Sequence, residues 1–196
     1  MALSFDDGPD PATTPRTLAL CDTLALRATF FLLGARVEAH PDLVHAIRAG
    51  GHGIAVHGHR HAHHLLHRPR WIDADLERAL SALEQAGCAP RLFRPPYGQL
   101  TAATVRAARR HRLEVVLWSG WGREWADADD ERVLARLSAA LRPGAILLLH
   151  DSDQTARPGT AARIQRLLPR LATEIAERGL TAVSVEELLD AGGRGR

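Results

Sequence analysis

Ala145-Ile146-Leu147-Leu148-Leu149-His150-Asp151 is an unbroken apolar run that stops at an imidazole and a carboxylate. Strict alternation of apolar and polar residues would mark a strand wet on one face. Continuous apolarity marks one buried on both. Ala28-Thr29-Phe30-Phe31-Leu32-Leu33 has the same character. Ala2-Leu3-Ser4-Phe5, Ile54-Ala55-Val56, Arg91-Leu92-Phe93, Leu113 to Trp118 and Thr181 to Val183 are shorter strand candidates.

Helical patterns lie between these strands. They are Pro15 to Leu26 with Thr14 able to cap it, Pro41 to Ala49 closed by Gly50-Gly51, and Trp71 to Gln85. Thr101 to Arg110, Asp129 to Leu141 and Thr160 to Arg178, the last interrupted by Pro169, continue the series. Ser184-Val185-Glu186-Glu187 is a capping box that opens a final helix to Asp190. Strand and helix alternate about seven times, which predicts an α/β domain with a parallel sheet covered by helices. So many units in one domain favour a closed or nearly closed barrel. An open doubly wound sheet is the alternative, but no glycine-rich dinucleotide fingerprint follows a strand. Neither an internal repeat nor a composition break divides the chain, so residues 1–190 form one expected domain, with 191–196 a disordered tail.

Composition narrows the function. With 45% hydrophobic and 24% charged residues, the chain is an ordinary globule with no stretch of transmembrane length. The net charge is +2, and lysine and asparagine are absent. The arginines are spread along the chain rather than gathered on a stripe, which argues against nucleic-acid binding. Cys21 and Cys88 have no metal spacing and read as small buried hydrophobes. No signal peptide opens the chain. The expectation is a cytoplasmic protein if Met1 is the native start, and a secreted or cell-wall-associated one if a leader has been removed. Oligomeric state is not legible.

The polar groups that end the strands carry the functional signal. Asp6-Asp7-Gly8-Pro9, the imidazoles after Val56, Arg94 and Tyr97, Glu124-Trp125, and His150 all fall just past a strand's C-terminal end. In a parallel barrel those ends share one rim, where active sites sit. Gly8-Pro9 takes the chain out of the sheet, which lets the neighbouring carboxylates of Asp6 and Asp7 share a cavity. The tract His57-Gly58-His59-Arg60-His61-Ala62-His63-His64-Leu65-Leu66-His67 is dense in preferred zinc ligands. His57 and His61 would face one way on a turn of helix, but His59/His63 and His63/His67 share that spacing.

These motifs together resemble the polysaccharide deacetylase family (the NodB homology domain, carbohydrate esterase family 4) from Ser4 to about Leu189. Ser4-Phe5-Asp6-Asp7-Gly8-Pro9 resembles its first motif and Ala28-Thr29-Phe30-Phe31 its second strand. Gly51-His52-x-Ile54-x-x-His57-x-x-x-His61 resembles its histidine motif, and this likeness selects His57 and His61. Arg94-Pro95-Pro96-Tyr97-Gly98 resembles the third motif and Leu148-Leu149-His150-Asp151 the last. Glu124 stands before Trp125 where the family usually has Asp, which keeps the charge and adds a methylene.

The resemblance implies a distorted (β/α) barrel of about seven parallel strands that hydrolyses an N-acetyl or similar amide on a chitin-like or peptidoglycan-like carbohydrate. It implies Asp7, His57 and His61 as ligands of a divalent metal, zinc by default, with Co2+ or Ni2+ suiting the same donors. Asp6 becomes the general base, oriented by Arg94. The Tyr97 backbone N–H helps hold the oxyanion. His150 becomes the general acid, with Glu124 raising its pKa. Trp125, Leu148 and Pro95 line the substrate pocket. His59, His63, His64 and His67 read as surface or supporting residues, and Trp118 as core. Other readings are a deformylase or amidohydrolase acting on a small or lipid-linked substrate, a metal-independent glycosidase using the two carboxylates, and a non-catalytic carbohydrate-binding or metal-storage protein.

Overall fold

The computed structural model describes residues 1–127 and 129–193. In chain order the elements are β1 Ala2–Asp6, α1 Thr14–Thr23, β2 Ala28–Leu32, α2 Gly34–Ala39, α3 Pro41–Ala49, β3 Gly53–Val56, α4 Pro69–Gln85 and β4 Leu92–Phe93. There follow α5 Ala102–Arg110, β5 Glu114–Val115, β6 Gly120–Trp121, α6 Asp130–Ala139, β7 Ile146–His150, α7 Thr160–Glu177 and α8 Val185–Gly193.

The seven strands form one sheet in the order β5-β4-β3-β2-β1-β7-β6. Every pairing is parallel. That order is cyclic, as in a barrel, with one break between β5 and β6. The sheet is therefore a curled, incompletely closed barrel. β1, β2 and β7 are the apolar runs of the sequence. Leu3, Phe5, Phe30, Leu147 and Leu149 pack on one face against the helices, and Ala2, Phe31, Ala55 and Leu92 form a smaller cluster on the other. Phe5 and Phe30 stack with ring centroids 5.0 Å apart.

The structure departs from the sequence expectations at the barrel's weak points. The run Leu113 to Trp118 keeps only Glu114–Val115 as strand, because the carbonyls of Val116 and Leu117 turn to the guanidinium of Arg94. Thr181 to Val183 is not a strand. It contributes a single bridge, Ala2 to Val183. α2 has one buried apolar side chain, Val37, and so no period to read. Thr14 is inside α1 rather than its cap. The Ser184 capping box forms, with Ser184 and Glu187 each bonding the other's backbone N–H, and α8 runs past the expected end at Asp190 to Gly193. The rest of the expected tail, 194–196, lies outside the described residues. Cys21 is buried, Cys88 is half-buried, and both are free. Among the described residues, no helix is long and apolar enough to cross a membrane.

Candidate active site

Parallel pairing brings the chemistry together. Asp6 ends β1 and His150 ends β7, and the two are register partners on adjacent strands. Asp7 follows with φ +79°, a left-handed conformation that Asp tolerates better than most residues. This turn puts its carboxylate beside that of Asp6 instead of behind the sheet. Gly8 must then be glycine, because a Cβ there would lie 2.6 Å from Asp151 Oδ1.

Arg94 is the buried anchor. It is 0% exposed and sits after β4. Its Nη1 donates to Asp6 Oδ1 at 2.6 Å and to Ser4 Oγ at 2.9 Å. Its guanidinium also lies 3.9 Å from the centroid of Phe31. A buried charge requires such a partner and full hydrogen bonding. Asp6 is thereby fixed by one oxygen, and Oδ2 is left 3.7 Å from His57 Nε2.

His57 Nδ1 donates to the carbonyl of Arg94 at 2.7 Å, which leaves Nε2 as the ring's open nitrogen. Asp7 Oδ1 lies 3.4 Å from His57 Nε2 and 3.4 Å from His61 Nε2. That oxygen is buried and has no hydrogen-bond partner among the described residues. The three donor atoms lie within 4.8 Å of one another. Two nitrogens and one carboxylate oxygen aimed at a common point, with an orphaned acceptor among them, fit a divalent ion with an open position.

The expected reason for the histidine pairing was wrong. Residues 57–63 form a loop, not a helical turn. Gly58 turns with φ +84°, and Asp75 on α4 accepts the backbone N–H of His59 at 2.8 Å and of Arg60 at 3.2 Å. The other histidines are put to use nearby. His59 and His64 are buried rather than on the surface, and His64 Nδ1 lies 3.0 Å from Thr104 Oγ1. His63 stacks on Tyr97 at 3.7 Å, and His67 on Trp71 at 3.7 Å.

On the far side, His150 Nδ1 donates to Glu124 Oε1 at 2.8 Å, so the longer acid reaches its target. Nε2 points inward, 3.8 Å from Asp7 Oδ2. Burial works to lower the His150 pKa, but the hydrogen bond and charge of Glu124, with Asp7 and Asp6, outweigh it and hold it up at about 9. The ligand set behaves differently. Burial would raise Asp7, yet the close approach of the His57 imidazole and the charges of His150, His57 and His61 hold it well below the carboxylate range. Burial, reinforced by His57 and His150, pushes His61 down to about 4 against the pull of Asp7 and Asp6. Burial also opposes charge on His57, but Asp6 and Asp7 raise it overall. A cation would displace that proton on binding.

These groups open into a cavity of about 220 Å³ walled by Tyr97, Trp118, Trp121, Trp125, Leu148 and Thr155. Two sequence expectations are corrected here. Pro95 is buried and does not line the cavity, because it stays on the strand side of the turn at Pro96–Gly98. Trp118 is a wall, not core: its ring rises beside Gly98, where a Cβ would meet it at 2.7 Å. The sequence reading missed Thr155, whose hydroxyl donates to Asp7 Oδ2, and Arg163, whose Nη1 donates to the Glu124 carbonyl at 2.7 Å. Both act across long sequence separations without a local pattern. Asp75 did leave a signal, as a carboxylate on the apolar face of α4 between Ile72 and Leu76.

Carboxylates and imidazoles gathered on the C-terminal rim of a curled parallel barrel stand where such folds carry their active sites. Residues 1–116 match the family model described as polysaccharide deacetylase, and the chain belongs to that family. It is 34% identical, over 96% of its length and 87% of the relative's, to a peptidoglycan-N-acetylglucosamine deacetylase of Bacillus cereus. It is also 34% identical to a chitooligosaccharide deacetylase of a Bradyrhizobium species, over 86% of this chain and 83% of that one. A family 4 carbohydrate esterase from Streptomyces lividans, solved with acetate, superposes with a TM-score of 0.84 at 30% identity, covering 93% of this chain and 90% of that one. The protein is a hydrolase of carbon–nitrogen bonds other than peptide bonds.

Proposed function

We propose that this protein removes N-acetyl groups from an N-acetylated sugar polymer, peptidoglycan-like or chitin-like, using a divalent metal held by Asp7, His57 and His61. The observation that carries this reading is the buried, unpartnered Asp7 Oδ1 between two imidazole nitrogens, flanked by an Arg-locked acid and a Glu-locked histidine. The names of the relatives favour a glycan over a small or lipid-linked amide. Zinc suits the donor set, as do cobalt and nickel.

A cation at that point supplies Lewis-acid polarisation of the amide carbonyl and an acidic water at neutral pH. The chain's own groups do the rest. Asp6, held through Oδ1 by Arg94, accepts the proton of the attacking water on Oδ2. The Tyr97 backbone N–H faces the oxyanion as it develops. His150, charged because Glu124 supports it, gives its Nε2 proton to the departing amine, which is a poor leaving group without it. Trp125 and Leu148 wall the acetyl methyl and exclude water. Acetate and a free amino sugar leave.

The test is acetate release from chito-oligosaccharides and peptidoglycan fragments, run beside a panel of formamides, with and without a chelator. The expected result is acetate from a glycan, lost on chelation and restored by metal. Formamide turnover without glycan turnover would select the small-substrate reading, and chelator-resistant cleavage of the glycan chain would select a glycosidase.

A further inference from the structure

The site described so far accounts for Trp125, whose ring lies edge-on to His150 with centroids 5.1 Å apart. It leaves Trp121 unused. Trp118, Trp121 and Trp125 form a continuous aromatic wall, with centroids 5.6 Å and 5.1 Å apart at the successive contacts. The wall begins at the proposed acid with Trp125 and runs through Trp121 to Trp118 beside Gly98. Trp121 is its middle member, next outward from Trp125, and at 38% exposed it is the most open of the three. β6 places it there. Gly120 is buried where a Cβ would meet Ala140 at 2.2 Å, so the next residue on the strand faces the other way. Trp121 is the register partner of Leu148, which walls the cavity two residues before His150.

We propose that the exposed face of Trp121 is a binding platform for the sugar next to the one being deacetylated, so that the protein selects chains over single sugars. The proposal rests on the sugar-deacetylase reading and names the substrate size that reading leaves open. A pyranose presents an apolar face of C–H groups and a polar edge of hydroxyls. An indole offers a matching flat apolar surface, and leaving it wet costs free energy. The reacting sugar sits where its acetamido group reaches Asp6 and His150, so a linked neighbour extends outward along the same wall. Arg123 adds the polar complement. Its guanidinium carbon lies 5.8 Å from the Trp121 centroid, and it forms no ion pair among the described residues. Its donors are therefore available to the hydroxyls or to a carboxylate of the ring on the platform.

The test compares kcat/KM for acetate release from N-acetylglucosamine tetramer and from the single sugar, in the metal-loaded protein and in Trp121→Ala and Trp121→Phe. Trp121→Ala should lose about tenfold more on the tetramer than on the single sugar, the scale of one lost aromatic stack. Trp121→Phe should recover part of that difference, which a merely structural role would not produce. Equal losses on both substrates would overturn the platform and leave the deacetylase reading standing. If the unaltered protein released no acetate from either glycan, both would fall. Circular dichroism and metal content of each variant separate a folding defect from a binding one. If Trp121→Ala does not fold, Trp121→Phe carries the comparison alone: a preferential loss on the tetramer supports the platform and no preference overturns it.

Discussion

Glu124→Gln isolates what holds the proton on His150. The carboxylate is fully buried, and its Oε1 takes the Nδ1 hydrogen of His150 at 2.8 Å. Gln keeps an acceptor at nearly the same place and deletes the charge. Burial, the largest single influence on His150, then acts with less opposition, and the pKa falls from about 9 toward or below its ordinary 6.5. The general acid must start protonated, so turnover is sustained below the His150 pKa and lost as pH rises through it. At about pH 8, the protonated fraction drops from about 90% for a pKa near 9 to about 3% for one near 6.5, a loss of about 30-fold. A cation on Asp7 cancels the share of the shift that Asp7 supplies. The holoprotein's alkaline limb therefore falls at or below about 9 and depends more heavily on Glu124. The assay is kcat for acetate release at saturating glycan across the alkaline range, for the unaltered protein, Glu124→Gln and Glu124→Asp. The alkaline limb should move to lower pH in the Gln variant, and the Asp variant should retain part of the unaltered behaviour because it retains the charge. A Glu124→Gln profile whose alkaline limb stays in place would refute the role assigned to this pair.

Two further substitutions probe the supports. Arg94→Met leaves Asp6 buried without its counter-charge and should cost about 3–5 kcal/mol in denaturant unfolding, with turnover lost in the fraction that folds. Asp75→Ala frees two backbone N–H groups of the His57–His61 loop. It should cost about 1–3 kcal/mol in stability and weaken metal binding about tenfold in a chelator competition, with no change at the Asp6–Arg94 pair.

The sheet was legible because its central strands are buried on both faces, so Ala28 to Leu32 and Ile146 to Leu149 read as strands without any context. The edges were not. β5 ends early because Arg94, remote in sequence, claims the next carbonyls, and β6 is two residues inside what reads as a loop. The rim groups were legible because parallel strands all deliver their C-terminal ends to one place. His57 and His61 do converge with Asp7 on one point, but helical spacing does not bring them together. A glycine turn and the Asp75 carboxylate do. Thr155 and Arg163 reach the site from the far end of the chain, and no local pattern marks such contacts. Trp118 reads as core because a Trp in an apolar run usually is, and only the crowding at Gly98 shows it standing in the cavity wall.

The central claim is that Asp7, His57 and His61 hold one ion while Asp6 does separate work beside it. Metal content per chain, measured with acetate release in the unaltered protein, Asp6→Asn and His61→Ala, tests it most directly. The account predicts about one ion per chain and full turnover in the first, about one ion and turnover lowered by roughly 10²-fold or more in the second, and little ion in the third. Normal turnover by Asp6→Asn, or a fully loaded His61→Ala, would contradict it.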